Sequence, residues 1–300
     1  RGAAPSLGET VLSVDAAARV VVTDRRELSF KAALVAPGRA GFAFLQEVMR
    51  SNGVPFIDNV VDVGVRVELN EDRYPIVKDY YDPKFLFPKK VRTFCTNSRA
   101  AHVVQERYED EAGAWYSVNG HAWSKDRPAN GLANFAMLKT IALTEPLASG
   151  QAYARALGAQ AMLLGGGRPI MQRVGDFRLG RRSTREAFTG DLYDFAPTLP
   201  SCTPGDLGLA VPAKVMRALW NALKSLDTIA PGVLHPSTVL YYPEIKTYAN
   251  KPVFQDPASF RAAPGLYLAG DGAGTSRGIT AAWASGMRVA DGMLGELGER

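Results

Sequence analysis

Cysteine is nearly absent from this chain. Cys95 and Cys202 are the two in 300 residues, too few for a disulfide framework or a cysteine-rich metal site. Two free thiols fit a reducing, cytoplasmic compartment. Histidine is also scarce, with three residues, His102, His121 and His235. Their spacing and that of the cysteines match no metal-binding pattern. No run approaches the ~20 apolar residues of a membrane span, and the first residues lack the apolar core of a signal peptide. Low-complexity segments and internal repeats are missing too. The chain opens on Arg1 instead of Met, which raises the expectation of a piece of a longer protein or a processed chain.

What is present describes an ordinary globular composition. Apolar residues make up 46% and charged residues 22%, which excludes wholesale disorder and a fibrous chain. The length suggests about two domains at roughly 150 residues each. The net charge of +5 is mild and allows an anionic cofactor or substrate without calling for nucleic acid. Arg178, Arg181, Arg182 and Arg185 form the one dense basic run. It reads as a solvated loop, an anion-binding cluster or, as a weaker idea, an RNA contact.

Hydrophobic patterning gives a mixed α/β reading. Segments 10–14 and 20–23 suggest a hairpin. Residues 32–36 form a short continuous apolar run, stopped by Pro37-Gly38, that suits a fully buried parallel strand. A helix is expected over 42–50. Segment 61–68 alternates with period two, which predicts a half-buried strand with Val61, Val63, Val65 and Val67 on its inner face. Segments 91–96, 102–108, 114–119, 135–143 and 240–248 read as further strands, and 151–164 and 213–226 as helices. The end runs from a short apolar strand, 265–269, through a glycine-rich loop, 270–278, into a helix over 279–294.

A strand, glycines and a helix start favour anions, because glycines let a ligand reach the backbone and the helix N-terminus carries partial positive charge. The loop is not a primary dinucleotide fingerprint, since no strand and acid follow it. Asp271, at the strand's end, either accepts hydrogen bonds from a sugar or polyol hydroxyl or simply caps the turn.

Gly270-Asp271-Gly272-x-Gly274, Arg277-Gly278-Ile279 and Ala281-Ala282-x-x-x-Gly286 resemble the C-terminal flavin motif of FAD-dependent oxidoreductases. Ala33-Leu34-Val35-Ala36-Pro37-Gly38-Arg39 resembles their middle flavin-domain motif. Segments 63–68, 92–95, 117–121, 134–136, 172–176, 180–184 and 244–246 extend the similarity along nearly the whole chain. It is similar to the bacterial family called FAD-dependent dehydrogenases. The resemblance implies an α/β fold with an α+β insert: a partial glutathione-reductase-like FAD-binding domain, split into 1–42 and 258–300, around a mixed-sheet substrate domain at 43–257. It implies FAD as cofactor, NAD(P)H as a candidate electron donor and a small, candidate carboxylated substrate. Gly38, Arg39, Asp271, Gly272, Gly274, Gly278 and Ile279 are the implied cofactor-binding positions. The family's N-terminal Gly-x-Gly-x-x-Gly unit has no counterpart here, so the chain is expected to be a fragment. No membrane or nucleic-acid partner is expected.

The candidate chemical residues each have a plainer reading. His121 is the leading acid–base candidate by residue type, or a loop histidine after the turn signal Asn119-Gly120. Arg66 could pair a substrate carboxylate, or form a surface pair with Glu68. Arg173 and Asn119 are candidate substrate-binding residues. Cys95 is a redox thiol or a packing residue. The rival to the enzyme is a non-catalytic module that binds an anionic ligand or partner.

Overall fold

The computed structural model describes residues 4–110, 113–123, 127–147, 149–189, 194–276 and 278–298. Two compact units emerge, one made of residues 1–59 and 248–300, the other of 60–247. The divisions fall at 59/60 and 247/248, not at 42/43 and 257/258. The helix after residue 42 packs its apolar side into the core of the first unit, so the first segment runs further than the glycine turn alone suggests.

The first segment of unit 1 contains strands β1 (Val11–Asp15), β2 (Val20–Thr23), β3 (Glu27–Ser29) and β4 (Ala33–Val35), helix α1 (Phe42–Ser51) and the short strand β5 (Phe56–Ile57). Unit 2 follows with β6 (Val61–Asn70), α2 (Ile76–Asp79), β7 (Leu86–Phe87), β8 (Val91–Asn97), β9 (Ala101–Asp110), β10 (Gly113–Ala122) and β11 (Leu132–Ile141). It continues with α3 (Gly150–Gly165), β12 (Ile170–Arg173), α4 (Val174–Arg178), α5 (Glu186–Thr189), β13 (Thr203–Pro204), α6 (Leu207–Ala210), α7 (Ala213–Ile229) and β14 (Val239–Thr247). The chain returns to unit 1 with β15 (Lys251–Pro252), β16 (Arg261–Ala263), β17 (Leu266–Leu268) and α8 (Ile279–Leu297).

In unit 1, β1, β2 and β3 form an antiparallel sheet. A second sheet has the order β16-β17-β4, with β17 and β4 parallel. Leu45, Val48 and Met49 of α1 recur at helical spacing and bury against Leu266 and Leu268. The apolar run 32–36 is not fully buried. Its strand lies at the sheet edge, and Leu34 keeps 41% of its surface exposed.

Unit 2 is built on a seven-stranded sheet, β13-β12-β14-β6-β11-β8-β7, antiparallel except for the β12–β13 pair. Helices α3 and α7 cover one face. Val61, Val63, Val65 and Val67 pack there with Leu157, Leu219 and Leu223. Ser149 caps α3 by accepting from the Ala152 N–H, and Gly166 ends it in the left-handed conformation, as a C-terminal glycine commonly does. The other face is covered by the β9–β10 hairpin, through Val103 and Val118 against Val239 and Tyr241. Strand β6 is therefore buried on both faces, not half-buried. Its alternation marks two different interiors, one apolar and one polar.

Candidate functional site

The polar interior starts with Arg66 on β6. Side chains at 62, 66 and 68 point away from the valine face and are buried, as are Asn134 on β11 and Glu244 and Lys246 on β14. A guanidinium has five N–H donors and must satisfy them when buried. Arg66 does so. Its Nε reaches Glu244 Oε2 and its Nη2 reaches Glu244 Oε1, both at 3.1 Å. Nη2 also donates to Asn119 Oδ1 at 3.0 Å, and Nη1 to Cys95 O at 2.8 Å and Asn134 Oδ1 at 3.1 Å. Lys246 Nζ lies 3.2 Å from Glu244 Oε1. The hairpin closes the network, because Asn119 Nδ2 donates to Glu106 Oε1 at 2.6 Å.

These contacts correct three expectations. Arg66 pairs with Glu244, not Glu68, and its donors are spent inside the sheet, so it presents none to a substrate carboxylate. Asn119 is a strut between Arg66 and Glu106. His121 sits in no loop. The Asn119-Gly120 turn signal lies inside β10, where Gly120 pairs with Val103 and His121 with His102, and the His121 side chain is exposed. Gly120 is there because the network needs its space. An added Cβ would lie 2.2 Å from Asn134 Oδ1, 2.5 Å from Arg66 Nη1 and 2.6 Å from Asn97 Nδ2.

Glu68 holds a second buried cluster. Its carboxylate accepts from the Thr198 hydroxyl, the Thr198 N–H at 3.2 Å and the Tyr241 hydroxyl at 2.5 Å. Burial pushes the Glu68 carboxyl above the ordinary carboxylate range, against the pull of those bonds and of the Arg173 charge. Burial, with Glu68 nearby, also pushes the Cys202 thiol up. Arg173 does not present itself to a ligand either. It donates to the carbonyls of Ala187, Ser237 and Phe195 and stacks on the rings of Phe188 and Phe195 at 4.8 and 5.1 Å. Sequence reading missed Glu68, Tyr241 and Thr198 as a group. A partial trace of it lies in β6, where Asp62, Arg66 and Glu68 alternate with Val61, Val63, Val65 and Val67.

In unit 1 the glycine turns converge. Strands β4 and β17 run side by side, with Ala33, Leu34 and Val35 opposite Leu266, Tyr267 and Leu268. Each is followed, shortly after its last residue, by a glycine of similar conformation, Gly38 at φ 69°, ψ −170° and Gly270 at φ 80°, ψ −170°. This region is essentially restricted to glycine. Each glycine opens a single 3-10 turn, at Arg39–Gly41 and Asp271–Ala273. The two turns touch so closely that a Cβ on Gly272 would lie 2.4 Å from the Gly38 carbonyl oxygen. Gly274 is left-handed, and Gly278, at φ 82° and ψ 167°, precedes α8 with no side-chain cap. Asp271 accepts from Ser276 Oγ at 2.7 Å and the Gly278 N–H at 3.5 Å. Those bonds leave acceptor capacity on a carboxylate with about four lone-pair sites. Arg39 and Ile279 are exposed beside their turns. Arg277 lies outside the described residues.

No family model and no curated protein matches this chain. Among the described residues, no group of three or more His, Cys, Asp or Glu side chains is placed to hold a metal ion. No helix of the described residues is long and apolar enough to cross a membrane.

Proposed function

We propose that the chain is part of an FAD-dependent oxidoreductase of the FAD-dependent dehydrogenase family, with unit 1 contributing to the flavin domain and unit 2 serving as the substrate domain. The observation that carries this reading is the meeting of two glycine turns at the carboxyl ends of two adjacent parallel strands. In open α/β sheets, ligands bind outside the carboxyl ends of such strands. Room at the turns supports a flavin there. Added Cβ atoms at Gly38, Gly270 and Gly278 meet nothing within 4 Å, so these glycines expose backbone to open space where a cofactor can approach.

In this reading Asp271 accepts hydrogen bonds from the ribityl hydroxyls. The uncapped N–H groups at the start of α8 face the pyrimidine edge of the ring and favour negative charge there. FAD, when bound, supplies hydride or electron transfer at its N5, and the protein supplies orientation and electrostatics. NAD(P)H is the candidate donor, and the substrate a small, carboxylated molecule. The test is the visible absorption of the protein expressed at its full encoded length, incubated with FAD and then separated from free cofactor. A retained flavin band, weakened in Asp271→Ala, supports the reading. Full-length protein that retains no flavin overturns it.

A further inference from the structure

Unit 2 holds a cavity that neither the flavin reading nor the buried network uses. Its volume is about 770 Å³, within the range that encloses a small organic ligand. Arg168, Arg182 and Arg185 line it, against one carboxylate, Glu186. Bonding to Thr184 holds the Glu186 carboxyl below the ordinary range, so the lining carries a net positive charge at neutral pH. Met171, Phe188, Pro200 and Cys202 supply an apolar wall.

The loop that presents Arg182 and Arg185 is anchored. Buried Ser183 donates through Oγ to Asp176 Oδ2 at 2.6 Å, accepts the Arg173 N–H at 2.9 Å, and donates its own N–H to the Gly205 carbonyl at 3.0 Å. Arg181, which does not line the cavity, pairs with Asp176 at 2.8 Å. Gln172 Nε2 donates to the Arg181 carbonyl at 2.9 Å. Arg182 Nη2 is directed by the Pro204 carbonyl at 3.2 Å, and Phe188 is held against the Arg173 guanidinium. A basic rim over an apolar wall on a fixed loop suits a ligand with one anionic end and one apolar end. Arginine binds such an anion with paired N–H donors.

We propose that this cavity binds a compact organic anion, an apolar body carrying a carboxylate, with Arg168 and Arg182 recognising the charge and Met171 and Phe188 the body. The inference is independent of the flavin. The experiment titrates the whole protein with 2-naphthoate and follows ligand fluorescence. Parallel arms use neutral 2-naphthamide, 2-naphthyl phosphate and inorganic phosphate. Saturable naphthoate binding is expected, at least tenfold tighter than naphthamide or inorganic phosphate. The double variant Arg168→Gln/Arg182→Gln should weaken it at least tenfold, and Arg168→Lys/Arg182→Lys should recover most of the loss. An unchanged thermal midpoint confirms that the variants are folded. Naphthyl phosphate binding at least tenfold tighter than naphthoate would replace the carboxylate with a phosphate and overturn the class proposed. Equal binding of naphthamide, undiminished binding by the glutamine variant, or no saturable binding overturns the site.

Discussion

Arg66 and Glu244 meet across β6 and β14 in a two-pronged ion pair in which neither side chain retains exposed surface. Such a pair stabilises little relative to apolar residues of the same shape, yet breaking it from one side strands a buried charge. Arg66→Met should therefore destabilise unit 2 by about 3–5 kcal/mol, read as a lower urea midpoint. Arg66→Lys should recover little of it, because one ammonium cannot reproduce five N–H donors in a plane. A variant that unfolds at the parental midpoint would show that the pair does not hold the sheet.

Adjacent positions on β10 should respond unequally. Gly120→Ala places a methyl group on the Asn134, Arg66 and Asn97 side chains, and overpacking of this kind costs about 1–3 kcal/mol. His121 is exposed, so His121→Ala should stay within about 0.5 kcal/mol of the parent. Comparing the two unfolding midpoints separates a histidine placed by the strand from a glycine demanded by the network. Equal midpoints would remove that account.

Glu68 predicts a pH dependence with a definite sign. Its carboxyl is raised in the folded state, chiefly by burial. The stability it contributes is fully present below the ordinary carboxylate pKa and is lost as pH rises through the raised folded value. Glu68→Gln keeps an acceptor for the Thr198 N–H and the Tyr241 hydroxyl and never ionises. The variant should gain on the parent as pH rises from 5 to 8 in denaturation series. A constant difference across that range would refute the assignment.

The glycine turns of unit 1 offer a contrast between demand and tolerance. Gly38→Ala and Gly270→Ala force a Cβ into a backbone region reserved for glycine, at roughly 1–3 kcal/mol each. Gly286, inside α8 with nothing near an added Cβ, should instead gain roughly 0.5–1 kcal/mol as alanine. Thermal midpoints of the three variants give the order directly. If Gly286→Ala is the most damaging, the turns do not carry the strain assigned to them.

Much of the secondary structure was legible in the chain. The hairpin at β1–β2, the strands from β8 to β11 and the long helices α3, α7 and α8 follow from periodicity and end signals. Burial was not. The valines of β6 announce one inner face, but nothing local says that Arg66 and Glu68 face a second interior, because their partners Asn119, Glu244, Thr198 and Tyr241 lie far along the chain. Asn119-Gly120 has turn chemistry and still forms strand, since the missing side chain serves a tertiary contact. The continuous apolar run of β4 reads as central, while its edge position follows from pairing on one side only, with β17 from the other end of the chain.

That last pairing has a consequence for the order of events on the ribosome. Residues 60–247 are synthesised before β17 exists, so the seven-stranded sheet can close while β4 still waits for its parallel neighbour. Domains generally fold as units during synthesis, N-terminal parts first. Here the order is inverted by nesting. The middle of the chain can mature early, and the two glycine turns meet only after β17 and the turn that follows it have been made.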